Sequence, residues 1–377
     1  MRGADVIVVG GGIMGTSTAL FLRRRGLSVI LLERWLTGQQ ASGTNFGNVR
    51  RQGRPLHQLA LSHRSHGLWK QLGELIGSTC EFQQVGGMFV TYSREKADEW
   101  EQYAKDAHDH GLDLEILHGN ALRARLPYLG QKIVAGFFSP EDGHANPRLL
   151  APTVGRAAAY AGALVEENAE VLSIEKTGED FSVEVVGRGV YRAPIVVVAA
   201  GAWGGRLSDA LGEPVPIEAR GPQMGVTEPL PFRIEPTIGV LSDNIPESVY
   251  FRQVSRGNVV FGGGTKGPAS TETGRASVLP ENTLRQMPSL RQLMPALGAV
   301  NVIRTWSGVE GYMPDALPVL GASERQSGLF YAFGFSGGGF QLGLGVGDVV
   351  AELIAKGRSE TAIDRYSIRR FQPSGVA

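Results

Sequence analysis

The chain has 377 residues, and its 37 lysines and arginines balance 37 aspartates and glutamates, so no net charge draws it to nucleic acid or to an anionic membrane surface. Its 52 glycines follow no fixed period, which excludes collagen-like and repeat architectures, and the single cysteine, Cys80, excludes an internal disulfide and a cysteine-built metal cluster. No leader of charged then apolar residues precedes the first apolar segment and no apolar run nears the ~20 residues that span a bilayer, so a cytoplasmic location is expected.

Asp5–Val9 is a nearly all β-branched run that predicts a buried strand, and Ile13–Arg25 predicts a helix stopped by Gly26. Leu27–Leu32 predicts a second buried strand that ends at Glu33. Between them, Gly10-Gly11-Gly12-Ile13-Met14-Gly15 puts three spaced glycines in the turn of a βαβ unit, with an acid about 20 residues on. Gly10 then makes the tight turn, Gly12 admits a pyrophosphate, and Gly15 lets helix and strand touch. The helix N-terminus turns its free N–H groups and its positive dipole end to the phosphates. Glu33 accepts from a ribose diol and repels a 2′-phosphate. This pattern serves NAD and FAD alike.

The segment Arg34–Asn48 has no helical period and gathers Ser42, Thr44, Asn45 and Asn48 among glycines. It reads as a solvated loop, or as one that rings a pyrophosphate with hydroxyl and amide groups. Leu59–Leu75 predicts a helix with His63 and His66 one turn apart and His57 just before it. No acid or thiol nearby completes a site, so no metal is expected. Ala151–Ala161 is small and apolar at helical spacing, Glu170–Ile174 and Phe181–Val186 alternate like strands, and Ile195–Val198 is a further apolar run.

Residues 213–316 interleave prolines with short apolar runs, a composition of strands and turns. Tyr250 and Arg252 alternate on one strand face. Val259–Phe261 predicts a strand that runs into a bendable loop at Gly262-Gly263-Gly264. Leu329–Phe333 predicts a strand and Phe340–Lys356 a helix. The stretch from Gly334 to Gly347, through Gly337, Gly338, Gly339, Gly343 and Gly345, then marks a second place of close backbone approach. A dinucleotide whose far end returns to the C-terminal part of the chain accounts for both clusters. An NAD(P)-dependent reductase is the competing reading, and it leaves the second cluster without a role.

A set of blocks in fixed order carries a family resemblance. They are the opening glycine motif with Glu33-Arg34, Ala41-Ser42-Gly43-Thr44-Asn45, Ala199-Ala200-Gly201-Ala202-Trp203, and Arg304-Thr305-Trp306-Ser307-Gly308. Then come Pro314-Asp315-Ala316-Leu317-Pro318-Val319-Leu320-Gly321 and Gly334-Phe335-Ser336-Gly337-Gly338-Gly339-Phe340. In these blocks the chain resembles the D-amino-acid oxidase superfamily of FAD enzymes, which includes glycine and sarcosine oxidases. Asn48–Arg54 and Ser307–Tyr312 look most like the β-subunits of bacterial opine and D-hydroxyproline dehydrogenases.

The resemblance implies an α/β (mixed α+β) fold, with a Rossmann-like FAD-binding domain interleaved with a sheet-based substrate domain. Residues 1–80, 143–212 and 317–377 would form the first, and residues 81–142 and 213–316 the second. It implies FAD contacts at Gly10, Gly12, Ile13, Met14, Gly15, Glu33 and Arg34, then at Ala41, Ser42, Thr44, Asn45, Gly47 and Asn48. Val171, Ala200, Gly201 and Trp203 follow, and Ser336, Gly337, Gly338, Gly339, Phe340 and Gln341 complete the set. At the last of these, backbone N–H groups and a helix N-terminus would stabilise negative charge on the reduced flavin edge. Non-covalent FAD is expected, because residues 306–320, where some relatives tether the flavin through cysteine, contain none.

The implied reaction is oxidation of a C–N bond in an amino or imino acid, by hydride transfer to the flavin. The implied setting is a hetero-oligomeric dehydrogenase with an α subunit and a small iron–sulfur γ subunit. The alternatives are a stand-alone oxidase using O2 and an FAD-bearing electron-relay subunit. His144 lies in a turn, Asp142–Pro147, where relatives of heterotetrameric sarcosine oxidase attach a second flavin. The attachment point falls nearer Pro147, so covalent FMN is not expected, and FMN at a subunit interface stays a secondary reading. Lys266 lies near where monomeric sarcosine oxidase holds an oxygen-activating lysine. Glycine-oxidase-like relatives carry arginine two residues after the motif glycine, but Gly308 is followed here by Val309-Glu310. The substrate carboxylate then falls to Arg50, Arg51, Arg252 or Tyr250, with Glu310 facing an amine or a distal cation.

Overall fold

The computed structural model describes residues 2–372. A six-stranded sheet runs, in spatial order, Val319–Ala322, Leu329–Phe333, Ile195–Val198, Val6–Val9, Val29–Leu32 and Leu164–Glu166. Neighbours are parallel except the first pair, which is antiparallel. Its strands read as unbroken apolar runs because both faces are covered. Val6 and Val8 point into a core shared with the helices Ile13–Arg24, Pro147–Tyr160 and Gly339–Lys356. Ile7 and Val9 point the other way, into a core shared with a four-stranded sheet of Arg2–Gly3, Gly189–Ala193, Asp180–Val185 and Val171–Thr177.

The helices approach closely where glycine removes the side chain. A Cβ on Gly343 would lie 2.4 Å from Ile13, one on Gly345 2.7 Å from Ser65, and one on Gly347 2.4 Å from Ser17. These three glycines therefore serve helix packing. The second cluster splits accordingly: residues 337–339 border a cavity, and residues 343–347 face neighbouring helices.

A ten-stranded sheet has the path Val302–Ser307, Glu218–Pro229, Asn258–Ser270, Val249–Gln253, Thr237–Val240, Gly87–Thr91, Ala135–Ser139 and Glu115–His118. Arg275–Ala276 and Glu310–Tyr312 pair beside it. The strand containing Val259–Phe261 does not give way to a loop at Gly262–Gly264 but continues to Ser270. Gly262 is bare because the Tyr250 ring and the Met224 sulfur occupy the space of its side chain, at 2.6 and 2.7 Å from an ideal Cβ. The helix expected over Leu59–Leu75 breaks at Gln71 into Leu59–Lys70 and Leu72–Ile76. Within residues 34–48 a short helix forms at Ala41–Thr44, and the strand Asn48–Val49 pairs with Gly143–His144. No helix among the described residues is long and apolar enough to cross a membrane.

One ion cluster ties the C-terminal helix to the helix Leu59–Lys70. Arg64 donates to Glu352 at 2.7 Å and to Asp348 at 2.7 and 2.8 Å, and Lys356 donates to Glu352 at 3.1 Å. Burial alone pushes the Glu352 carboxyl up, but the hydrogen bonds from Arg64 and Lys356 outweigh it and hold it down to about 2. An unfolded glutamate titrates near ~4.3, so this stabilisation is complete above that value and is lost as the pH falls through about 2. Glu352→Gln is expected to cost about 3 kcal/mol at neutral pH. In urea titrations the gap to the parent protein should close as the pH approaches 2.

Candidate active site

Where the two large sheets meet, the chain encloses a continuous cavity of about 620 Å³. One end is the turn after Val6–Val9. Gly10 adopts φ +111° and its N–H donates to Leu32 O at 2.8 Å, which a side chain would prevent because Ala199 O lies 2.5 Å from an ideal Cβ. The Ser42 hydroxyl accepts from Ile13 N at 2.9 Å, and the N–H groups of Gly12 and Met14 have no acceptor among the described residues. Both residues line the cavity. Free N–H groups at a helix start, in a wall without side chains, form a cradle for an anionic group such as a pyrophosphate.

Glu33 also lines the cavity and accepts from Gly11 N at 2.6 Å and Trp35 N at 2.8 Å. Burial pushes its carboxyl up while those two bonds oppose the shift. Each carboxylate oxygen keeps a lone pair for a further donor such as a ribose hydroxyl. The Arg34 guanidinium sits 4.0 Å over the Trp35 ring and 4.5 Å over the Trp203 ring. A turn of the large sheet closes over this end. Trp203 Nε1 donates to Thr271 O at 2.6 Å, Gln40 donates to Gly274 O at 3.1 Å, and Gly274 packs on the Trp35 ring.

The other part of the cavity is walled by the C-terminal turn and by the large sheet. Gly337, Gly338, Gly339, Phe340 and Gln341 line it, and Ala41, Asn45, Gly47, Asn48, Val171, Ala200 and Gly201 are further lining residues of the same cavity. Gly337 N donates to Glu310 Oε1 at 3.1 Å, and Tyr312 donates to Glu310 Oε2 at 2.8 Å. Burial pushes the Glu310 carboxyl up, against the pull of these bonds and of Lys266. Tyr250 stands edge-on to Phe46 at 4.7 Å, and burial raises its phenol. Arg50 donates to Gln52 O, lies 5.6 Å over the Phe89 ring, and forms no ion pair among the described residues. Beyond it the cavity continues between Trp100, Lys96 and Asp243.

Gly15, Thr44, Ser336, Arg51, Arg252 and Lys266 do not line the cavity. Gly15 lies behind the turn, where an ideal Cβ would sit 1.8 Å from Gly10 O. The Thr44 side chain fills the space left by Gly308, and its carbonyl accepts from Trp306 Nε1 at 2.8 Å. The Ser336 hydroxyl accepts from Met313 N at 2.9 Å and so braces the turn. Arg252 shares a strand face with Tyr250 but lies past the cavity edge. It donates to Phe46 O at 2.7 Å and contacts His144 Nδ1 at 3.3 Å, which makes it a clamp on the loop before Gly47 and not a substrate group. Arg51 is likewise taken up by Glu141 and His63. Lys266 sits 4.5 Å over the Tyr312 ring, outside the cavity lining.

Sequence reading did not single out Arg54, which lines the cavity, is buried, and donates to Gly338 O at 3.1 Å, Arg50 O at 3.1 Å and Gln58 Oε1 at 3.1 Å. Burial and the neighbouring Arg50 hold its guanidinium down to about 9. Its four-residue spacing from Arg50, across Gly53, was the available signal. Among the described residues no cluster of His, Cys, Asp and Glu is arranged to hold a metal.

The family model for FAD dependent oxidoreductases matches residues 5–353. A subunit of the opine oxidase of Rhizobium meliloti is 29% identical, with 98% of each chain covered. Human mitochondrial sarcosine dehydrogenase is also 29% identical, but the match spans only 42% of that longer protein. Among solved structures, L-proline dehydrogenase from P. horikoshii superposes with a TM-score of 0.91 at 26% identity, over 98% of both chains. Glycine oxidase from Geobacillus kaustophilus shares the fold with a TM-score of 0.88 at 23% identity, over 98% of this chain and 99% of that one. With a glycine cradle at each end of one cavity and a family match across nearly its whole length, the chain belongs to the DAO family of FAD-dependent oxidoreductases.

Proposed function

We propose that this enzyme oxidises the C–N bond of an amino or imino acid, with D-proline, D-hydroxyproline and opine-like secondary amines as leading substrates. The observation that carries the reading is Arg50, a guanidinium in the cavity wall with no carboxylate within ion-pair distance among the described residues; the charge of Asp142 acts on it only from further off. A half-buried cation without an ion-pair partner accepts an anion, and a planar fork suits a carboxylate. The relatives named above, an opine oxidase subunit, an L-proline dehydrogenase and a glycine oxidase, support the same class of substrate.

FAD supplies the acceptor for the hydride that leaves the substrate Cα. Gly10, Gly12, Ile13, Met14, Ser42 and Asn45 would hold its pyrophosphate, and Glu33, Arg34, Val171 and Trp203 its adenosine. Gly337–Gln341 would hold its reactive ring, with Ala41, Gly47, Asn48, Ala200 and Gly201 completing the wall. Arg50 orients the substrate carboxylate. Tyr250 and Phe46 form an apolar flank that excludes water. Glu310, its carboxyl raised by burial, faces the amine and takes up its proton, which leaves the neutral amine that oxidation needs. The six-stranded sheet with its helices then serves as the FAD-binding domain (residues 1–80, 143–212 and 317–377) and the ten-stranded sheet as the substrate domain.

Two relatives are themselves subunits of larger oxidases, which supports a role as the catalytic β-subunit of a hetero-oligomeric dehydrogenase, with α and iron–sulfur γ partners. An anaerobic panel tests the reading: holoprotein is mixed with D-proline, L-proline, D-hydroxyproline, sarcosine, glycine and an opine while flavin absorbance is followed. At least one is expected to bleach the flavin within seconds. A panel without bleaching rejects the reading and leaves an electron-relay subunit. Rapid return of colour on admitting air, with peroxide released, points to a stand-alone oxidase.

A further inference from the structure

We propose that Asp142 is a positioning residue that fixes the substrate-binding arginine by holding the backbone of its loop. The inference rests on the assignment of Arg50 to the substrate carboxylate. Asp142 is fully buried and lies in the loop joining Ala135–Ser139 to Gly143–His144. One carboxylate oxygen accepts from Arg51 N at 2.8 Å, and the other accepts from Gln52 N at 3.2 Å. The carbonyl of that same Gln52 receives the Arg50 guanidinium. A line of hydrogen bonds thus runs from a carboxylate without access to the cavity, through one residue's backbone, to the cation in the cavity wall.

Asp142 also ties this loop to the large sheet. Its own carbonyl accepts from Gly86 N at 2.8 Å, and its side chain packs where Gly87 has none, 3.1 Å from an ideal Cβ. Gly87 begins the strand whose Met88 and Phe89 line the cavity, and Phe89 is the ring under Arg50. One side chain therefore sets Arg50 and the wall beside it in a single frame. A carboxylate suits this task because it accepts from two adjacent N–H groups at once. A carboxamide keeps one such bond and turns an NH2 group on the other N–H.

Asp142→Asn, Arg50→Gln and the double variant are compared with the parent holoenzyme, using the panel substrate that bleaches the flavin fastest. Dissociation constants for acetate are read in parallel from perturbation of the flavin spectrum. Asp142→Asn is expected to raise KM and the acetate constant by about tenfold, with kcat and bound FAD nearly unchanged. In the Arg50→Gln background the same change should have little further effect on either constant, because the two residues act as one unit. Glu141→Gln, which touches the Arg51 side chain and not the loop backbone, should leave both constants at parent values.

Additive effects in the double variant overturn the inference. So does an Asp142→Asn protein that loses FAD or its fold, since Asp142 is then a general structural residue. Should Arg50→Gln itself leave KM and acetate binding unchanged, the assignment of Arg50 fails first, and a weaker acetate affinity in Asp142→Asn alone then rules out action through Arg50.

Discussion

Replacing Gly15 by alanine is expected to weaken FAD binding severely. The added methyl carbon would lie 1.8 Å from the Gly10 carbonyl oxygen, well inside any tolerated contact, and 3.3 Å from Val8. The turn cannot retreat, because Gly10 N is bonded to Leu32 O and Ala199 O stands directly behind. The strand-to-helix turn must open instead, and the N–H groups of Gly12 and Met14 then lose their common direction. FAD affinity is expected to fall at least ~100-fold, equivalent to roughly 2.7 kcal/mol, as measured by titrating apoprotein with FAD. Gly26→Ala is the matched control. It lies just past the same helix, adopts φ +86°, and has no neighbour within 4 Å of an added methyl. That change costs about 1 kcal/mol in backbone strain and should leave FAD affinity intact. Parent-like FAD binding in Gly15→Ala would show that the turn is not the pyrophosphate cradle.

Arg50→Gln removes most of the catalytic efficiency while leaving the flavin in place. A charge-assisted, two-pronged contact to a desolvated carboxylate contributes about 3–4 kcal/mol, so kcat/KM should fall by ~100- to 1000-fold, chiefly through KM. Flavin content and the visible spectrum without substrate should match the parent protein. Arg252→Gln separates the two arginines. Its guanidinium serves Phe46 O and His144, so its loss should lower thermal stability and loosen the loop before Gly47, with little change in KM. The reverse pattern, KM rising for Arg252→Gln and not for Arg50→Gln, would move the substrate carboxylate to the far side of Phe46.

Much of this site was legible because its signals are local. The βαβ unit needs only a strand, a turn of spaced glycines, a helix and an acid in register, and all lie within 33 consecutive residues. The strand Leu329–Phe333 and the helix behind it are also plain in a single stretch of chain, as apolar runs on either side of a glycine turn. Arg54 was passed over for the opposite reason. Its place in the cavity wall comes from contact with Gly338, which lies 284 residues away in the chain. The long strand through Gly262–Gly264 was hidden similarly. A glycine run signals freedom to bend when read alone, and only the Tyr250 ring and the Met224 sulfur on neighbouring strands show why side chains are missing there.

By itself the sequence determined that a glycine turn of a βαβ unit stands at the N-terminus and that a second glycine-rich turn follows residue 334, because both signals fall on adjacent residues. Tertiary structure alone decided which glycines face the cavity. Residues 337–339 turn toward it, while residues 343, 345 and 347 admit Ile13, Ser65 and Ser17. It alone also decided which arginine reaches the cavity wall. Arg50, Arg51 and Arg252 are equal as letters, and only the folded chain places Glu141 against Arg51, Phe46 and His144 against Arg252, and Arg50 in the cavity wall with no carboxylate within ion-pair distance. Whether a cation in a cavity wall can take a ligand is set by what already surrounds it, and those surroundings are assembled from long-range contacts.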